Sequence, residues 1–173
     1  MVVIALIGIM AGVGAPALLQ ALPSMRTSGA TRQVLSDLRL ARTQAVDKGI
    51  AATVLFTPGT KTYVVFLDAD ADGVLDAGET TVKTVDLTRD FTGIGFGSSA
   101  ETLTGAAADG VTLDDAGANF VTFNTNGSAS SAGALYLMPT ADAGGRKDRN
   151  QRVTVTAATG NLLSQRYQGT AWE

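Results

Sequence analysis

The hydrophobic pattern divides the chain into an apolar opening, an amphipathic middle and a long alternating remainder. From Met1 to Leu19 there is no polar side chain, and the first charge is Arg26. A run of that length predicts a membrane-spanning helix over residues 1–22, since about 20 residues rising about 1.5 Å each match a hydrocarbon layer about 30 Å thick. It is apolar all round, unlike an ordinary core helix. It is also longer than the apolar part of an export signal and has no basic residue before it. Pro16 lacks an amide hydrogen and predicts a kink or a loosened turn, at a cost of about 3 kcal/mol in an isolated helix. Pro23 and Gly29 then punctuate a polar patch. Beyond them Val34, Leu38, Ala41 and Ala45 recur at helical spacing, with Arg32, Asp37, Arg39, Arg42 and Lys48 assigned to the opposite side. That predicts an amphipathic helix over 31–48 with a narrow stripe suited to a sheet, closed by Gly49 as a C-terminal cap.

From Ile50 onward the period shortens. Ile50–Phe56 and Thr62–Leu67 flank Pro58-Gly59-Thr60 and read as a hairpin. Further strands are predicted at Thr80–Leu87, Thr92–Phe96, Asn119–Phe123, Ala134–Met138, Arg152–Thr156 and Leu162–Tyr167. Gly-, Ser- and Ala-rich connections separate them at Gly97–Gly110 and Asn124–Gly133, and Ala141–Gln151 reads as a mobile surface loop. One long helix followed by many short strands defines an α+β fold: an N-terminal hydrophobic helix over 1–49, then a β-rich globular head of antiparallel sheets over 50–173.

Composition narrows the chemistry. There is no histidine and no cysteine, so a Ser-His-Asp triad, thiolate metal ligands and disulfides are all excluded. A net charge of −3 argues against a surface that works by neutralising phosphates, and so against nucleic acid as a partner. A carboxylate-only glycosidase stays open in principle, although Asp114-Asp115 reads better as a turn than as an acid/base pair. Arg26, Arg32, Arg39 and Arg42 follow the apolar run, and basic residues beside a span tend to stay cytoplasmic, so the sequence leaves the orientation open.

The most specific motif is Asp68-Ala69-Asp70-Ala71-Asp72-Gly73-Val74-Leu75-Asp76-Ala77-Gly78-Glu79. It fits the calcium-loop pattern D-x-[DN]-x-[DN]-G-x5-E at every specified position. Such a loop offers a hard cation six to eight oxygens at about 2.3 to 2.6 Å. The expected ligands are Asp68, Asp70 and Asp72, the Val74 carbonyl, Asp76 through water, and both oxygens of Glu79. Gly73 would make the bend and Leu75 would be buried. The bound Ca2+ would be a structural clip. The competing reading is a solvated acidic hairpin, because Asp and Gly suit turns and the preceding segment is a strand rather than a helix.

Several pieces resemble one family. The opening Met1-Val2-Val3-Ile4-Ala5-Leu6-Ile7-Gly8-Ile9, with Pro16, resembles the N-terminal helix of type IV pilins and type II secretion pseudopilins. Leu38-Arg39-Leu40-Ala41-Arg42-Thr43-Gln44-Ala45, Tyr63–Asp68, Phe123-Asn124-Thr125-Asn126-Gly127 and Arg152–Thr156 before Gly160 resemble the branch containing minor pseudopilin H and the pilin-like FimT. The sequence starts inside that family pattern, after the Phe-Thr-Leu-Ile-Glu-Leu opening, so the family's leader, processing site, methylated first residue and assembly glutamate are not carried over to it, and a truncated sequence is the expectation.

By that resemblance the protein is a structural subunit and not an enzyme. It would be a minor pseudopilin of type II secretion, held in the bacterial inner membrane with its head in the periplasm. It would then pack with other pilin-like subunits in a filament in the periplasm or at the cell surface, with secreted protein as the candidate cargo. Gly8, Gly12 and Gly14 with Ala11 and Ala15 offer a small-residue face for helix packing. A minor type IV pilin and a membrane-anchored calcium-dependent binding module are the alternatives. DNA-uptake members resembling FimT use basic residues after the closing glycine, whereas Gly160 is followed here by Asn161-Leu162-Leu163 and the first basic residue is Arg166.

Overall fold

A computed structural model describes residues 2–103, 108–113 and 119–173, with side chains from Gln20 onward. One helix, α1, runs from Val2 to Lys48 without interruption, so neither Pro23 nor Gly29 ends it. Extra donors support the turns around Pro23: Thr27 Oγ1 donates to the Pro23 carbonyl at 2.9 Å, and Thr31 Oγ1 to the Thr27 carbonyl at 2.9 Å. Arg149 Nη2 reaches across from the head to the Gln20 carbonyl at 3.1 Å. Gly29 is a notch rather than a breaker, since the Phe91 ring lies against it where a side chain would stand. The side chains of residues 1–19, Pro16 among them, lie outside the described residues, and with them most of the expected membrane span.

Among the described residues the head contains eight strands: β1 (Ala52–Thr57), β2 (Thr62–Leu67), β3 (Thr80–Asp86), β4 (Ile94–Phe96), β5 (Phe120–Phe123), β6 (Gly133–Pro139), β7 (Gln151–Thr156) and β8 (Asn161–Arg166). Every strand expected from the alternation is present, with ends displaced by no more than two residues. They form two antiparallel sheets in the orders β3-β2-β1-β5 and β4-β6-β7-β8. Leu87 leaves β3 because Asp86 caps a one-turn helix, α2 (Leu87–Asp90), its carboxylate accepting from the Thr88 and Arg89 amides.

The C-terminal half of α1 closes the core against both sheets. Ala30, Val34, Leu38, Ala41 and Ala45 are wholly buried among Val54, Tyr63, Val65, Phe123, Leu135 and Val153. The stripe is narrow and rich in alanine, which lets the strands approach the helix backbone. Gly49 caps the helix as expected, at φ +65° with its amide on the Ala45 carbonyl at 3.1 Å.

Ala141–Gln151 is not the free loop its composition suggests. Asn150 is wholly buried, its Nδ2 donating to Ser99 Oγ at 2.8 Å and to the Lys147 carbonyl at 2.8 Å. Arg149 is also buried, 3.6 Å from Asp142. Polar residues mark surface in a sequence, but here each finds a partner that only the fold supplies.

Candidate functional site

Three pieces far apart in sequence converge on Arg42 of α1. Its Nε donates to the Gly127 carbonyl at 2.9 Å. Gly127 at φ +82° and Gly160 at φ +58° both occupy the left-handed region, where a side chain is strained. A Cβ on Gly160 would run into the Gly127 carbonyl and crowd Arg42 Nε. The Ala-Arg stretch, the Asn-Gly turn and the closing glycine are therefore one junction, in which a helix side chain fastens two turns of the head.

A second fastening was assigned to the wrong face by the sequence. Asp37, placed among the polar residues of α1, is only 3% exposed. It accepts from the Tyr63 hydroxyl at 2.7 Å and Gln33 Nε2 at 2.9 Å, and Lys83 Nζ lies 2.7 Å away. A signal was available: at about 100° per residue, position 37 falls about 40° from Ala41, on the apolar side. Burial, reinforced by Asp37, pushes the Tyr63 phenol far above its ordinary range.

The acidic loop leaves β2 and folds across the end of the first sheet. Asp68 is wholly buried. Its Oδ2 accepts from Thr53 Oγ1 on β1 at 2.7 Å and from the Gly73 amide at 3.0 Å, and Thr53 in turn shares a 2.6 Å bond with Thr122 on β5. Its other oxygen, Oδ1, is buried without a hydrogen-bond partner, an arrangement that costs about 1–3 kcal/mol when nothing compensates it.

Glu79 closes the loop, accepting from the Ala69 amide at 3.0 Å and the Asp76 amide at 3.0 Å with its two oxygens. Asp68, Asp70 and Glu79 each offer an oxygen within 4.8 Å of the others, and Asp70, Asp72 and Asp76 form a second such group. Desolvation, then repulsion from Asp72 and the contact with Asp68, hold the Asp70 carboxyl above its ordinary range.

Gly73 makes the expected bend at φ +79°. Leu75 is not buried but 39% exposed, and Val74 is 54% exposed. The Phe120 ring lies so close to Gly73 that no Cβ fits there. Asp114 and Asp115 lie outside the described residues.

A long helix laid across two antiparallel sheets, and fastened by its own polar side chains, defines a pilin-like subunit. The sequence model for the type II transport protein GspH matches residues 30–160, and the chain belongs to that family. In fold it is similar to the minor pseudopilin EpsH from the type 2 secretion system of Vibrio cholerae, at 15% identity and a TM-score of 0.51, covering 80% of this chain and 95% of that one. It is similar also to the type IV minor pilin FimU of Pseudomonas aeruginosa, at 14% identity and a TM-score of 0.52, covering 83% and 94%. No curated protein matches.

Members of this family are structural subunits anchored in a membrane. Among the described residues no helix is long and apolar enough to cross one. Residues 1–19, on which that expectation rests, are outside the described side chains.

Proposed function

We propose that this protein is a minor pseudopilin of a type II secretion system. It waits in the inner membrane through the opening half of α1, with its head in the periplasm, and enters a short filament by exchanging lipid for the helices of neighbouring pilin-like subunits. The observation that supports this most directly is the continuity of α1. The segment that builds the head's core and the segment with no polar side chain are one helix, Val2–Lys48, about 70 Å long at about 1.5 Å per residue. A force on the apolar end is therefore carried to the head along this one helix, through the Arg42 and Asp37 fastenings. The likeness to a type IV minor pilin supports a second reading, in which the same subunit serves a pilus.

Because the chain has no cysteine, single cysteines at Ala11 and Ala15 report only designed contacts. Oxidative crosslinking in membranes of the native host, with a matching cysteine placed in the apolar helix of a co-expressed pilin-like chain, should join the two helices through a disulfide. Wild-type levels of protein with no adducts would overturn the filament reading. Loss of exported protein on deleting the gene supports secretion, and loss of surface pili instead supports the second reading.

A further inference from the structure

We infer that the loop Asp68–Glu79 is a calcium site, with Asp68 Oδ1, Asp70 and Glu79 as its inner ligands and Asp72 and Asp76 as its outer ones. A solvated acidic turn accounts for Asp70, Asp72 and Asp76, which are exposed. It does not account for Asp68. That carboxyl is wholly buried, one oxygen is taken by Thr53 and Gly73, and the other is closed off from water with no donor. A buried carboxyl oxygen needs a donor or a cation. Among the described residues no lysine or arginine forms an ion pair with any of the five loop carboxylates. A cation from solution would supply the missing partner without costing a neighbouring carboxylate its charge, and the groups placed to share it with Asp68 are Asp70 and Glu79, each with an oxygen within 4.8 Å.

The donor set selects the ion. All candidates are carboxylate oxygens, which suit a hard cation. Each Glu79 oxygen spends one lone pair on a backbone amide and keeps another for a metal. Five carboxylates spread over a glycine-bent loop suit the variable coordination of calcium better than the strict, water-retaining octahedron of magnesium. Through Asp68, the ion would tie the β2–β3 loop to β1 and β5.

The experiment is thermal unfolding and calorimetry of the full chain in detergent, after chelation, with calcium alone and magnesium alone as probes. For a dissociation constant of about 10⁻⁴ to 10⁻³ M, about 5 mM calcium should shift the folding equilibrium about 6- to 50-fold towards the folded state. Magnesium should shift it much less. The doubly substituted Asp70→Asn, Asp72→Asn chain should fold as wild type in chelator, both residues being exposed, yet lose the calcium response. The inference is overturned by no heat and no shift at millimolar calcium, or by an undiminished shift in the double variant, which would mark general charge screening. Neither outcome bears on the filament reading.

Discussion

Asp37 and Asp68 are both buried aspartates at the edge of the same core, and their surroundings differ in one respect. Asp37 meets a phenol, an amide and an ammonium, so both oxygens are partnered. Asp68 meets a hydroxyl and a backbone amide on one oxygen and nothing on the other. The first site is complete within the chain because it joins two parts that must never separate, the helix and the head. The second leaves one carboxylate oxygen without a partner among the described residues. A buried acid is stable only when its charge is answered, and in the second region the inferred calcium ion is what would answer it.

The helix–head junction is expected to be the less forgiving region. Replacing Gly160 by alanine places a Cβ against the Gly127 carbonyl in a left-handed backbone conformation. Strain and overpacking should together cost about 3–5 kcal/mol. Denaturant unfolding of the full chain in detergent measures it, and a loss under about 1 kcal/mol would mean that the turns are not fixed by Arg42. Gly78, in the acidic loop at φ +113°, is the control: a Cβ there would meet nothing within 4 Å, so a change to alanine should show backbone strain alone.

A finer cut is Asp37→Asn. The amide is nearly isosteric but places a donor against donors and removes the charge facing Lys83, whose side chain is 35% exposed and can rehydrate. The expected cost is about 2–3 kcal/mol, the range for a hydrogen bond to a charged group with partial relief by water. Tyr63→Phe should cost less, about 1 kcal/mol at neutral pH. It should also weaken the alkaline loss of stability. Because the folded phenol titrates far above its usual pKa, only the unfolded chain releases that proton as the pH passes about 10, and stability falls there. Titrating stability from pH 8 to 11 in both chains checks the sign.

The sequence carried the elements well and the contacts poorly, for a physical reason. Strand alternation and the Val34–Ala45 stripe reflect burial of whole side chains, which is periodic. Asp37 escaped because a charged residue was read as exposed, although its angular position lay on the apolar side. Asn150 and Arg149 escaped because polar composition marks a surface loop unless the fold supplies partners, as Ser99, Asp142 and α1 do here. The loop motif at Asp68–Glu79 was legible from spacing alone. What spacing could not reveal was that Asp68 alone is buried, since that follows from Thr53 and Thr122 on two other strands.

The smallest effect is also the most informative one, because the same substitution should behave differently at the two aspartates. In Asp68→Asn the remaining carbonyl oxygen can still accept from Thr53 and Gly73, while the amide nitrogen replaces an oxygen that has no donor. Nothing present in the folded chain is lost, so in chelator the change should lie within about 1 kcal/mol of zero. In calcium the wild type should gain stability and the variant should not, so the difference between the two conditions isolates the ion's share. If Asp68→Asn in chelator costs as much as Asp37→Asn, then Oδ1 has a partner within the chain, and the contrast between the two regions fails. If it costs nothing in chelator and stability falls behind wild type only as calcium rises, the junction is closed by the chain and the loop by what the chain is dissolved in.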